Sequence, residues 1–168
     1  KRGAITLPAN VQYAWPHASG RYLYVASSAN APGSTQHYLT ALRIDPQTGE
    51  LTSHGESVQL PARPIHITTD IPSEHILVAF NVPSGVRVFR INKDCTVGEE
   101  IKQPGLVDGG IYAHQIRVSP DNRHAILVTR GNHATAAKPE EPGALKMFDY
   151  SGGALSNEAS IAPDGGRG

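Results

Sequence analysis

Cysteine is almost missing from this chain: Cys95 is the single one among 168 residues. That excludes an intrachain disulfide, and one thiol cannot build a cysteine-based zinc site alone. Net charge is missing too, with 15 basic residues against 15 acidic ones. No electrostatic footprint for nucleic acid or an anionic membrane follows from such a balance. No apolar run approaches the roughly 20 residues of a membrane span. No helix-period segment of useful length and no helix-cap pattern stands out. A leader sequence is not visible either, so a cytoplasmic protein is the expectation. The eight histidines contain no pair at the close spacing of a zinc protease, and there is no Gly-x-Ser-x-Gly elbow. Neither a metal nor an organic cofactor is expected.

What is present is a repeat. Ser19-Gly20-Arg21-Tyr22-Leu23-Tyr24-Val25-Ala26 returns as Ser73-Glu74-His75-Ile76-Leu77-Val78-Ala79 and again as Pro120-Asp121-Asn122-Arg123-His124-Ala125-Ile126-Leu127-Val128. Arg21, Glu74 and Arg123 are spaced by 53 and 49 residues. A period near fifty, made of strands and turns, marks the blades of a β-propeller. The 17 glycines and 13 prolines suit such a turn-rich, all-β chain. One blade cannot bury both of its faces, so stability comes from stacking blades in a ring.

Each repeat divides into four short strands. Innermost strands are expected at Val11 to Trp15, Ile65 to Thr69 and Ala113 to Val118. Second strands follow at Tyr22 to Ala26, His75 to Phe80 and Ala125 to Thr129. Third strands cover Tyr38 to Ile44, Val86 to Ile91 and Leu145 to Tyr150, with outer strands near 51–60, 97–103 and 155–161. Asp45-Pro46-Gln47-Thr48-Gly49 and Tyr150-Ser151-Gly152-Gly153 supply the backbone angles of tight turns. Two longer connections, Ser27 to His37 and Arg130 to Gly143, interrupt the rhythm, and such insertions often carry function.

The blades are therefore placed at 11–60, 61–104 and 105–162, with 1–10 as the end of a preceding blade and 163–168 as the start of the next. The pairing of Ile5-Thr6-Leu7-Pro8 with Val58-Gln59-Leu60-Pro61 suggests that placement. Propellers close with roughly four to eight blades, so three blades are expected to be part of a ring. The partner is then the remaining blades or a second copy.

Innermost strands line a propeller's channel, and residues at their ends converge on one space. His66 and His114 are read as the same place in successive repeats, at the start of an innermost strand. An imidazole there can exchange a proton near neutral pH. The structural alternative is a ring that bonds a neighbouring blade's backbone. Cys95 falls in an outer turn, away from the channel, and Tyr13 and Trp15 read as core.

Ala113-His114-Gln115-Ile116-Arg117-Val118-Ser119-Pro120-Asp121-Asn122-Arg123 resembles the His-x-x-x-x-Ser-Pro-Asp-Gly-Arg segment of the seven-bladed lactonase family. That family includes propeller-type 6-phosphogluconolactonases and the fungal 3-carboxy-cis,cis-muconate lactonizing enzyme. The stretches Ala18 to Val25 and Ile44 to Leu51 resemble its blade pattern too. The resemblance implies a seven-bladed ring that hydrolyses a sugar lactone such as 6-phosphogluconolactone. Its alternatives are the lactonizing activity or a non-catalytic binding propeller. It implies a catalytic role for His114 and a small-molecule lactone or carboxylate as ligand, while for His66 the repeat position alone suggests contact with substrate. The family's further groups, arginines and a glutamate, come from later blades, so this chain alone is expected to be inactive. Where the family usually has Asp-Leu-Gly, this chain has Arg130-Gly131-Asn132.

Overall fold

The computed structural model describes residues 3–161, without 30, 32 and the side chain of 157. The segment 163–168, including Arg167, lies outside the described residues. All regular structure among the described residues is β, in three antiparallel sheets and one small ribbon. The first sheet contains β1 (Asn10–Pro16), β2 (Tyr22–Ser28) and β3 (His37–Ile44), with an outer edge split into β4 (Leu51–Ser53) and β5 (Val58–Gln59). The middle sheet is β6 (Pro64–Thr69), β7 (His75–Phe80), β8 (Gly85–Ile91) and β9 (Val97–Glu100). The third runs β10 (Ala113–Val118), β11 (His124–Thr129), β14 (Leu145–Ser151) and β15 (Ala154–Ile161). Between β11 and β14, β12 (Gly131–Asn132) and β13 (Glu141–Pro142) pair as a ribbon. The chain is therefore a sector of three propeller blades, each sheet in up-and-down order.

Strand alternation explains the packing. Along β7 every residue is buried, because successive side chains face opposite neighbours. Ile76, Val78 and Phe80 join Tyr24, Ala26, Leu39 and Ala41 of the first blade in one core. Leu77 and Ala79 join Ile116, Leu127 and Phe148 of the third blade in the other. Burying side chains of this size stabilises each junction by roughly 1.5–3 kcal/mol apiece before entropy is subtracted. The turns follow their residue chemistry. Asp45 Oδ1 accepts the Gln47 and Thr48 N–H groups at 2.9 and 2.8 Å, and Gly49 closes that turn with φ of 72°.

Residues 3–9 form no strand among the described residues, unlike the outer strand expected there. They are paired with no strand of the described sheets, and isolated strands are not stable in water. Ile5 and Leu7 are nonetheless half-buried, and the segment begins beside Gly49–Leu51.

The innermost strands β1, β6 and β10 lie side by side in that order. Antiparallel order then puts their starts, and the β2–β3, β7–β8 and β11–β14 connections, at one mouth of the channel. The β1–β2, β6–β7 and β10–β11 turns stand at the other. Polar links fasten both ends. At the first, Arg63 donates to Gln12 Oε1 from Nε and Nη2 at 3.0 and 2.8 Å. Ser84 there donates to Gly109 O and accepts the Ala113 N–H, both at 2.8 Å.

At the second end the β6–β7 turn touches both neighbours. Ser73 Oγ accepts the Ala18 N–H at 2.9 Å, and Ile71 N–H donates to Asn122 Oδ1 at 3.0 Å. Asp70 is buried and accepts four hydrogen bonds: the Glu74 and His75 N–H groups, His75 Nδ1–H and the Tyr150 hydroxyl. Burial raises the Asp70 pKa, but these donors outweigh it and hold the carboxyl below its usual value. Gly153 of the third blade closes over His75. A Cβ there would stand 2.8 Å from the imidazole Cδ2.

Candidate functional site

His114 stands at the start of β10, exposed at the first channel mouth. A register shift between Ala113 and Gln115 marks it as a β-bulge residue. Bulges re-aim a side chain, and here the extra residue turns the imidazole away from the ladder. Corresponding shifts sit at Gln12 in β1 and Ile65 in β6.

That register corrects the reading that His66 and His114 are repeats of one position. Tyr13, His66 and Gln115 pair with Ala26, Ala79 and Val128, so they are the equivalent set. His114 is equivalent to Ile65. The two histidines therefore differ by one residue and face different ways. His66 is buried between strands rather than open to the channel, so its geometry is not that of a substrate contact. Its Nδ1 accepts the Ile116 N–H of the neighbouring blade at 3.4 Å, which is the structural alternative weighed above. The Tyr13 ring lies 4.2 Å away, centroid to centroid. Burial first, then Arg117 and His114, lower the His66 pKa to about 4, so the ring is neutral at pH 7. With Nδ1 accepting, Nε2 carries the hydrogen, and that buried atom has no partner among the described residues.

The approach to His114 is fastened by a buried lysine. Lys146 Nζ on β14 donates to Asp108 Oδ2 at 2.7 Å, Glu158 Oε1 at 2.6 Å and Ser160 Oγ at 3.0 Å. Burial lowers the Lys146 pKa, yet the bonds to Asp108 and Glu158 outweigh it and the net shift is upward. Asp108 Oδ1 accepts the Gly110 N–H at 2.8 Å. Gly110 has φ of 59°, and a Cβ there would lie 2.7 Å from Lys146 Cε. The positive φ favours glycine, and an added Cβ would also press on Lys146 and on Thr129 Cγ2 at 2.9 Å. The segment entering β10 is thus held at Asp108 and Gly110, six and four residues before His114.

The 130–143 connection is more ordered than a solvated loop. Arg130 N–H donates to Tyr112 O and Gly131 N–H to Ile111 O, both at 3.0 Å, tying its base to the same segment. Beyond that base, Glu141 Oε2 accepts from Asn132 Nδ2 at 2.8 Å and from Lys138 Nζ at 2.5 Å. His133 and Glu140 are exposed on the ribbon's tip.

Three arginines went unread in the sequence. Arg63 is held by the Gln12 amide at the mouth. The Arg130 guanidinium sits 4.9 Å over the Tyr112 ring, and that of Arg117 sits 4.3 Å over the Trp15 ring. The partners of Arg63 and Arg117 are 51 and 102 positions away along the chain, and that of Arg130 is across the β10–β11 hairpin. For Arg117 a signal existed: it shares the register of Trp15 and Thr68 on the channel side of successive innermost strands. Trp15 and Tyr13 are half-buried against the first core, as read, but Trp15 also carries this cation.

Cys95 lies in the β8–β9 turn, as expected, with its sulfur 3.8 Å from His17 Nε2 in a cleft of about 550 Å³. Ser19 N–H donates to His17 Nδ1 at 3.0 Å, so Nε2 bears the hydrogen when the ring is neutral. No group of three or more residues that could hold a metal ion occurs among the described residues. No helix there is long and apolar enough to cross a membrane.

Comparison with known proteins bears on the whole sector. The family model described as "Lactonase, 7-bladed beta-propeller" matches residues 3–134. A protein from Bacteroides uniformis, named as a candidate 6-phosphogluconolactonase, superposes with a TM-score of 0.58 at 19% identity. The periplasmic gluconolactonase PpgL of Pseudomonas aeruginosa does so with a TM-score of 0.59 at 17% identity. In each case 97% of this chain is covered but 60% of the other, so the chain spans well under two thirds of those proteins. At such identities the likeness is one of fold.

Proposed function

The chain belongs to the seven-bladed β-propeller lactonase family, and on that premise we propose that the protein opens a lactone ring by hydrolysis at the channel mouth. The observation that carries this reading is the placement of His114. A bulge turns its imidazole out of the ladder, exposed, at the start of an innermost strand. A sugar lactone such as 6-phosphogluconolactone is the substrate class we favour. The solved relatives named for such lactones share the fold.

The chemistry asks little of the protein. Water attacks the lactone carbonyl, and negative charge gathers on its oxygen. A positioned imidazole takes the proton from the attacking water, and fixed hydrogen-bond donors stabilise the oxyanion. His114 supplies the first function. The donors complementing it come from the rest of the ring, whose blades lie beyond this sector.

Hydrolysis of 6-phosphogluconolactone and of glucono-lactone by the full-length protein, followed by acid release in a pH-stat, tests the proposal. Turnover above the spontaneous rate is expected, and His114→Ala is expected to lower kcat by about 10²-fold or more. Unchanged turnover in that variant, with its fold intact by circular dichroism, sinks the role of His114. No turnover of any lactone by the parent protein sinks the reading itself.

A further inference from the structure

Six of the eight described arginines fall into two kinds; Arg21, in the β1–β2 turn, and Arg43, on β3, belong to neither. Arg87, Arg90 and Arg123 approach carboxylates: Glu100 at 2.8 Å, Glu99 at 3.9 Å and Asp121 at 2.8 Å. Those pairs sit on outer strands and turns. Arg63, Arg117 and Arg130 sit toward the channel, and among the described residues none of them is in an ion pair. Each is oriented instead by a neutral group: the Gln12 amide oxygen, the Trp15 ring and the Tyr112 ring. A guanidinium steadied by an amide or a π face keeps its charge uncancelled and its fork partly free. The lysines near the first mouth show the contrast, since Lys138 and Lys146 are both neutralised by carboxylates.

Arg117 is exposed near the end of β10, toward the second channel mouth. It lines a cleft of about 400 Å³ with Trp15, Thr68 and Ser73. The one carboxylate among the described lining residues, Asp70, is buried and already accepts four hydrogen bonds. Nothing anionic in that cleft is free to answer Arg117. His114 is three residues earlier on the same strand, about 10 Å away at the usual rise per residue.

We propose that Arg117 seats the anionic group of the ligand, with Arg63 and Arg130 drawing the anion into the channel mouth. The ligand class is a phosphorylated or carboxylated sugar derivative that extends from His114 to Arg117 along the innermost strand. This orientation rests on the lactonase reading; the anion site itself does not. A bidentate guanidinium–phosphate contact gives both attraction and direction. Arginines at the rim raise the association rate in a salt-dependent way.

Trp15 is the only tryptophan among the 168 residues, so the part of the full-length protein's fluorescence that Trp15→Phe removes reports on the guanidinium above it. The test titrates the full-length protein with pyrophosphate, 6-phosphogluconate and gluconate at constant ionic strength set by chloride. A saturable change in Trp15 emission is expected with the phosphorylated probes. Arg117→Gln is expected to weaken it by about tenfold or more, Arg117→Lys by less, and Arg123→Gln to leave it unaltered. Arg63→Gln or Arg130→Gln should lower the on-rate and flatten its salt dependence. A response equal in Arg117→Gln and the parent, or no saturable response at all, overturns the site. If lactone turnover is found but Arg117→Gln treats phosphorylated and neutral lactones as the parent does, the anchoring role fails and the lactonase reading stands. If the anion binds without turnover of any lactone, the lactonase reading fails and the site stands.

Discussion

The middle blade and the third blade are built from the same pattern and differ in what lies beside them. Leu77, Val88 and Val86 of the middle blade are at most 5% exposed. Their register equivalents in the third, Ile126, Met147 and Leu145, are 38%, 45% and 48% exposed. The residue types are equally apolar, so burial in this fold is conferred by the neighbouring blade rather than by the strand itself. A blade's own hydrogen bonds organise it, whereas most of its apolar gain comes from stacking. The third blade's outer face, with Ile161 at its edge, is an apolar surface of the kind that marks an interaction site.

Truncation should separate the two blades most sharply. In the 168-residue chain, Leu77→Ala is expected to cost about 2–5 kcal/mol, and Ile126→Ala less than about 1 kcal/mol. Urea unfolding of both variants measures the gap. In the full-length protein the Ile126→Ala cost should climb toward that of Leu77→Ala if a further blade covers the face. Equal small costs there would break the comparison.

The junction between the two blades has its own weak point at Asp70. Replacing it by Asn leaves His75 Nδ1–H and the Tyr150 hydroxyl competing for one fewer acceptor. A loss of roughly 3 kcal/mol is expected. The pH dependence follows from the lowered pKa. The folded value lies below the unfolded value of about 4, so the stabilisation is present above that value and is lost as pH falls through the folded pKa. Acid unfolding should therefore be shallower in Asp70→Asn than in the parent, and identical acid limbs would count against the carboxylate.

Gly153→Ala should cost about 1–3 kcal/mol, because its Cβ meets the His75 ring and its φ is 86°. Gly152→Ala, with open space around the added carbon and φ of 55°, should cost about 1 kcal/mol from backbone strain alone. Thermal melts of the pair isolate the contact from the strain. Arg123→Gln is the smallest change, within about 0.5 kcal/mol, since its pairing with Asp121 is solvent-exposed.

The strands were legible because apolar runs such as His75 to Phe80 recur at a steady interval between turn residues. The ends of the inner three strands moved by a residue or two, as with β2 reaching Ser28, whereas the first outer strand is split and β9 stops at Glu100. What could not be read was anything one residue out of phase. The bulges at Gln12, Ile65 and His114 shift the pairing without altering the spacing of the repeat, so His66 looked like the partner of His114. The β12–β13 ribbon is two polar dipeptides, which carry no alternation for a strand pattern to catch. The channel arginines escaped for a different reason, since the groups that hold Arg63 and Arg117 are on other blades. Of the candidate site, only His114 was visible, and it was visible through a local motif.

The β6–β7 turn carries a consequence for how the sector comes apart. In a stack of repeats joined only to nearest neighbours, one end can fray while the rest stays intact, and the interfaces act independently. Here a single turn receives the Ala18 N–H from one side and bonds Asn122 and Tyr150 on the other. Peeling away the third blade removes the partners that fix Asp70 and Ile71, and the same few residues then lose their hold on Ala18. The two junctions share backbone, so damage at one is felt at the other and their energies do not add. Fraying is thereby coupled, and the three blades are expected to melt as one cooperative unit rather than one at a time.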